Sequence, residues 1–284
     1  MMAPKSWAPT LWGAKAMVQP VLSGSEVTQY QRDGYLVPSF RFEGEQLERL
    51  QGLANELLER NAEFGDTPMV CPHVPGSGVQ GLRGDKAWMA YSDDPQLLDL
   101  VEQLIGPDII LWGTNLFHKP AGTGRRIPFH RDGRYWPIEP LATLTVWVAI
   151  EASTAANGCL RVIPGSHRAR QVGDHFTSED PADAIPETLA ASEFDAGEAV
   201  PLELEAGQMA LFDVFTIHGS EANTSADRRL GYAMRYMPAS SWFHHDAAQR
   251  AELSSNAHNT RPLFLLRGRD VSGRNDFERG HPAR

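Results

Sequence analysis

Residues 109–119 read Ile-Ile-Leu-Trp-Gly-Thr-Asn-Leu-Phe-His-Lys, and the way this run divides decides the fold. Ile109–Trp112 and Asn115–Lys119 are short, apolar and aromatic, with Gly113 and Thr114 between them, which reads as two strands. The pattern continues towards the C-terminus at 142–150, 158–163, 208–212 and 230–237, each run bounded by turn-forming residues. Short strands separated by turns at this density predict an antiparallel β sandwich or barrel. A polar stretch of weak periodicity, 168–200, interrupts the series. The tail from Ser240 is irregular apart from the apolar run at 262–266.

Towards the N-terminus the period changes. Ser25–Gly34 carries a short polar helix pattern, and Tyr35–Val37 is a strand candidate stopped by Pro38. Glu45–Glu63 places Leu47, Leu50, Leu53, Ala54, Leu57 and Leu58 at helical spacing, one apolar face suited to buttressing a sheet. Residues 65–85 are rich in Gly and Pro and read as loop, and Pro95–Ile105 is a further helix ended by Gly106-Pro107. The expected layout is one domain over 1–284. It comprises a helical buttress (25–105), a β core (106–237) with its insertion at 168–200, and a C-terminal extension (238–284).

The 284 residues carry 26 basic and 36 acidic side chains, a net charge of -10. That balance argues against a nucleic-acid partner, which calls for a basic patch. No apolar run approaches the roughly 20 residues of a membrane span, and residues 1–20 hold no apolar core of secretory length. A cytoplasmic setting without membrane attachment is expected, in which Cys71 and Cys159 stay unlinked thiols. Nothing in the sequence indicates an oligomeric state.

Three motifs carry chemistry. In Phe129-His130-Arg131-Asp132-Gly133, residues two apart on a strand share a face, so His130 and Asp132 could bind one metal. A facial triad of two histidines and one carboxylate needs one more histidine, and Phe215-Thr-Ile-His218-Gly-Ser220 offers it at a strand end. Arg229 follows eleven residues later. If the chain reverses at 221–227, its guanidinium returns beside that histidine and could grip a carboxylate in two parallel hydrogen bonds. Asn115 and Lys119 could face the same pocket, and Tyr135 and Trp136 could wall it. For Lys119 a solvated strand edge is the plainer reading, and for the aromatics core packing.

Read together, FHRDGRYWP, NGCLRVIPGSH and HGSEANTSADRRLGYAMRY resemble the phytanoyl-CoA dioxygenase family of iron(II)- and 2-oxoglutarate-dependent oxygenases, from about Gly106 to Met237. The resemblance implies a mainly β, double-stranded β-helix (jelly-roll, cupin-like) fold with flanking helices. It implies His130, Asp132 and His218 as iron ligands, with Arg229 and Ser220 on the far carboxylate of 2-oxoglutarate and Trp147 lining its pocket. The implied activity is oxidation of a small molecule by O2, with release of succinate and CO2. Hydroxylation leads, with desaturation, epimerisation or ring formation as alternatives, and a non-catalytic cupin-like binding module as the rival from another class. Asp132 supplies the carboxylate that related halogenases lack. Arg131 stands where glutamine is common, which bears on polar contacts near the substrate.

Other matches lack context. Gly76-Ser-Gly78-Val-Gln-Gly81 has the letters of a dinucleotide loop but neither the strand before nor the helix after it. His167 in a Gly-containing turn is expected to be structural, the His244-His245 pair beyond the core to lie on the surface or in a lid, and the sequon at Asn223 to carry no meaning without secretion. Segments 65–85 and 168–200 are expected to border the metal and shape substrate choice.

Overall fold

The computed structural model describes residues 21–77, 79–246 and 258–281. The N-terminal leader and Gly78 lie outside them, as does the side chain of Tyr135.

Eight strands build the centre: β1 (Ile109–Lys119), β2 (Ile127–His130), β3 (Leu144–Ala149), β4 (Leu160–Val162), β5 (Val200–Leu202), β6 (Met209–Asp213), β7 (His218–Ser220) and β8 (Arg229–Pro238). They form two antiparallel layers, in the orders β6-β3-β8-β1 and β5-β4-β7-β2. The first layer is widened by Tyr35–Leu36 on β6, and by Met69–Val70 and Phe264–Arg267 on β1. The apolar run of the C-terminal extension therefore closes a sheet edge.

β3 shows how the layers are glued. Leu144, Val146 and Val148 point to one face, Trp147 and Ala149 to the other, as period-two alternation requires. The first set packs under helices α1 (Gly24–Asp33), α2 (Gly44–Arg60) and α3 (Pro95–Ile105), through Leu50, Ala54 and Leu57 of α2 and Leu97, Leu100 and Val101 of α3. The second set meets Leu160, Val162 and Leu202 of the other layer. The larger sheet is thus buried on both faces, which explains its near-continuous apolar strands. α1 starts at a capping box, with Ser23 accepting from the Glu26 N–H. α2 ends three residues earlier than its pattern suggested, because Asn61 leaves helical angles and its side-chain amide donates back to the Leu57 carbonyl at 2.8 Å.

The expected break at Gly113-Thr114 is not a break. β1 is continuous, and the pairing with β8 slips there: Arg235 faces Gly113, but Tyr236 faces Leu111, leaving Trp112 as one extra residue. This β-bulge flips the parity of the strand. Above it Asn115 and Phe117 face the space between the layers; below it Trp112 and Ile110 face that side too, while Ile109 and Leu111 pack with the helices.

The insertion at 168–200 carries more order than its sequence suggests, including a hairpin of His175–Thr177 with Glu187–Leu189. Among the described residues no helix is long and apolar enough to cross a membrane. Cys71 and Cys159 are free and buried.

Candidate functional site

His130 is the last residue of β2, and His218 the first of β7; the two are direct cross-strand partners. Their ring centroids lie 4.3 Å apart. Arg131 keeps extended angles (φ -111°, ψ 134°), so Asp132 returns to the face of His130 although it already belongs to the 3-10 turn Asp132–Tyr135. Asp132 Oδ1 stands 3.7 Å from His130 Nε2 and 3.9 Å from His218 Nε2. The three donors lie within 4.8 Å of one another, too far for hydrogen bonds and close enough to share an ion.

Both rings are pre-aimed. His130 Nδ1 contacts the Pro128 carbonyl at 2.8 Å, and His218 Nδ1 the Thr216 carbonyl at 3.0 Å. Donation from Nδ1 puts the lone pair on Nε2, the arrangement that metal-ligating histidines use. Burial and the neighbouring His130 push the His218 imidazole down to about 4, so it is neutral and ready to ligate. Burial works to raise the Asp132 carboxyl, but Arg235, His218 and His130 outweigh it and hold it well below the usual carboxylate range. Thr145 Oγ1 donates to the other oxygen, at 3.4 Å. The set fits a divalent transition metal.

The triad opens into a cavity of about 300 Å³ between the layers. At one end lies Arg229, 1% exposed. Its Nη1 donates to the Gly158 carbonyl at 2.7 Å, its guanidinium lies 5.3 Å from the Trp147 ring, and Nε has no hydrogen-bond partner. Burial pulls it down to about 10, which leaves it charged at neutral pH. Ser220 Oγ, beside it on the wall, is likewise buried and without a partner. A buried cation and a buried hydroxyl with unmet hydrogen bonds are a site made for an anion. Arg228, by contrast, pairs with Glu151 near the surface, Nε to Oε1 at 3.1 Å.

The register explains this wall. Across β1, β8 and β3, one row is Asn115, Ala233 and Trp147; the next is Gly113, Arg235 and Thr145. Trp147 can lie flat because Gly231 is beneath it: a Cβ there would meet the indole at 1.9 Å.

Several expected residues take other places. Lys119 neither faces solvent nor lines the cavity; it is buried, with Nζ donating to the carbonyls of Ser220 and Glu221. Trp136 does line the cavity. Arg131 touches it, but its guanidinium reaches the Phe215 carbonyl at 3.1 Å and Glu193 at 3.5 Å, tying the insertion to the core. His167 packs against Gly34, away from the triad. His245 is buried against the Arg261 carbonyl at 2.7 Å, not on the surface. Asn223 is also buried, its amide donating to Lys119, Pro120 and Asp227 carbonyls, which suits a turn organiser and not a glycan acceptor. The sequence reading missed Arg235, Trp112, Thr145, His258 and Arg261 on the cavity wall. Period-two counting forward from Arg229 along β8 would have found Arg235; the C-terminal residues carry no local signal.

Thr67, Pro68, Val70 and Gln80 from one segment, and Ala184–Glu187 from the insertion, complete the wall. Arg125 and Arg126 hold these two covers. Arg125 Nη2 bonds Asp66 at 2.7 Å, and Arg126 pairs with Asp183 and with Asp180 at 2.9 Å.

Known proteins resemble this chain in sequence and in fold. Residues 30–231 match the family described as phytanoyl-CoA dioxygenase. A probable phytanoyl-CoA dioxygenase of Caenorhabditis elegans is 25% identical over 236 residues, 76% of this chain and 75% of that protein. The ectoine dioxygenase of Sphingopyxis alaskensis is 26% identical over 264 residues, 87% and 83% of the two chains. The chain spans about half the length of the bovine and human phytanoyl-CoA dioxygenases it matches. Among solved structures, the non-haem monooxygenase ThoJ superposes with a TM-score of 0.67 at 23% identity, over 87% of this chain and 85% of that one.

Proposed function

The chain belongs to the phytanoyl-CoA dioxygenase family of iron(II)- and 2-oxoglutarate-dependent oxygenases, and we propose that it uses this cavity to oxidise a small organic molecule, in the first place by hydroxylating a C–H bond. One observation carries the reading: a buried guanidinium without a carboxylate partner shares a cavity with a pre-aimed His-Asp-His cluster. A dicarboxylate with a metal-chelating end suits both.

In this reading His130, Asp132 and His218 hold iron(II). Arg229 and Ser220 take the far carboxylate of 2-oxoglutarate, Trp147 flanks its chain, and Asn115 lies in the same row of the wall. The bound iron supplies activation of O2, with 2-oxoglutarate leaving as succinate and CO2 and one oxygen atom passing to substrate. The protein contributes position and dryness. The carbonyls of Pro128 and Thr216 fix the ring orientations, and Arg235 with Thr145 keeps Asp132 ionised and oriented. The covers at 67–80 and 184–187 keep bulk water from the cavity and shape substrate choice. The strand orders β6-β3-β8-β1 and β5-β4-β7-β2 support a double-stranded β-helix. A cytoplasmic setting suits the two free thiols.

Desaturation, epimerisation and ring closure would use the same residues. A non-catalytic binding module would have no use for three converging metal donors. The test is calorimetric titration of the metal-free chain with Ni(II), then 2-oxoglutarate, alongside succinate release with Fe(II) in air. Metal-dependent 2-oxoglutarate binding is expected; binding of the acid with equal affinity in the absence of metal would sink the reading.

A further inference from the structure

β8 carries two arginines on its cavity face, Arg229 and Arg235, six residues apart and so separated by roughly 20 Å of strand. The first is committed to the cosubstrate in the reading above. The second stands on the other side of the metal donors. Its Nη1 donates to Asn115 Oδ1, its Nη2 is 3.8 Å from Asp132 Oδ1, outside hydrogen-bonding range, and its Nε has no hydrogen-bond partner. Its side chain is 11% exposed. The guanidinium lies 5.1 Å from the Trp136 ring and 6.0 Å from Trp112, and Arg261 sits 6.0 Å from Trp112 as well.

The Nε–Nη2 edge is the fork that receives a carboxylate in two parallel hydrogen bonds. Asp132 stands too far to take it, and once iron is bound the charge of Asp132 is directed to the metal. Of the groups nearest the reaction centre, iron(II) and 2-oxoglutarate then cancel, Asp132 offsets one guanidinium, and one positive charge is left in an enclosed space. Buried charge requires a partner.

We propose that the substrate is a small organic carboxylate whose acid group docks on the Nε–Nη2 edge of Arg235 and whose apolar or flat body lies against Trp136. This rests on the functional reading above and names its substrate class. Thioesters and amines are disfavoured there, since neither offers two acceptor oxygens to the fork.

The test uses the full chain loaded with Ni(II) and 2-oxoglutarate, which binds without turnover. The probes are N-acetyl amino acids, benzoate, indole-3-acetate and 3-phenylpropionate, each beside its primary amide, ranked by thermal shift and measured by calorimetry. At least one acid is expected to outbind its amide by about 30-fold or more, the scale of a charge-assisted pair in an enclosed pocket. Arg235→Gln should shrink that ratio to within about threefold, and Arg235→Lys, which keeps the charge but loses the fork, should give a ratio between the two. The proposal is overturned if no acid outbinds its amide, or if the preference survives in Arg235→Gln. Should the Gln variant not fold, the Lys variant and the wild-type ratios decide alone. Titration of 2-oxoglutarate separates the two claims. If wild type binds it and the acid preference is missing, the substrate class fails alone; if wild type does not bind it, the oxygenase reading fails first.

Discussion

The two ends of β8 are built by different rules. At the Arg229 end the pairing with β1 and β3 is regular, every side chain follows from counting by twos, and the chain segments that meet are neighbours in a simple antiparallel order. At the Arg235 end the pairing slips, an indole is inserted, and the wall is completed by a turn after β2 and by residues beyond 257. The regular end carries Arg229, whose surroundings follow from strand pairing alone. The irregular end carries Arg235, whose surroundings depend on one surplus residue and on segments far apart in the sequence. A group on regular strands is fixed by register; a group beside a bulge and turns is fixed by tertiary packing.

The sharpest way to break that contrast is at Arg229. Arg229→Gln should weaken 2-oxoglutarate binding by about 30-fold to 1000-fold, from the loss of a buried charge-assisted pair. Arg228→Ala, which loses only a half-exposed contact with Glu151, should leave it within about threefold. Calorimetry on the Ni(II)-loaded chain reads both, and similar losses from the two would remove Arg229 from the cosubstrate site.

Next in size is Gly231→Ala. The added methyl collides with Trp147, and overpacking of this kind costs about 1–3 kcal/mol. Chemical denaturation should show that loss, with weakened 2-oxoglutarate binding because the indole is displaced. An unchanged midpoint would mean the sheet yields at its regular end, contrary to the comparison.

A smaller effect concerns Lys119, the cross-strand partner of Arg229. Burial, and then the nearby Arg229, push its ammonium down to about 6. Above that pH the folded chain holds it neutral while the unfolded chain still binds a proton, so the unfolded state binds more protons and stability rises with pH from about 6 towards the ordinary lysine range. Lys119→Met should flatten that rise in melting temperature between pH 6 and 9. If the slope persists, it belongs to other groups.

The mildest prediction concerns the cover formed by the insertion. Arg126 is 46% exposed, so Arg126→Ala should change global stability by about 1 kcal/mol or less. Hydrogen exchange should nevertheless quicken at 180–187, with 2-oxoglutarate affinity unchanged. Equal protection in variant and wild type would show that the cover is held by other contacts.

The same division explains what could be read from the chain. The apolar faces of α2 and of β3, β6 and β8 are periodic, so the helical buttress and the antiparallel core were legible. The clustering of His130, Asp132 and His218, with Arg229 on the same cavity, was legible from order and spacing along β2, β7 and β8. The bulge was not: Gly113-Thr114 looks like a gap, and only the partner strand shows that one residue is surplus. Lys119 was read as either pocket or solvent, because its carbonyl partners come from a turn a hundred residues away. His258 and Arg261 reach the cavity through tertiary packing alone.

The extra residue at Trp112 has a consequence for how this molecule could be altered. In a sheet, facing is a matter of odd and even, and one surplus residue is the smallest unit that can reset it. Removing Trp112 alone would restore the count: Gly113 opposite Arg235 and Leu111 opposite Tyr236 would become consecutive, and Ile110 and Leu111 would keep the faces they have. Arg235 would lose its indole while Arg229, six residues away on an unaltered partner strand, would keep its surroundings. The bulge is therefore a detachable insert: it lends the cavity one indole, and its loss would leave both halves of the strand spelled as before.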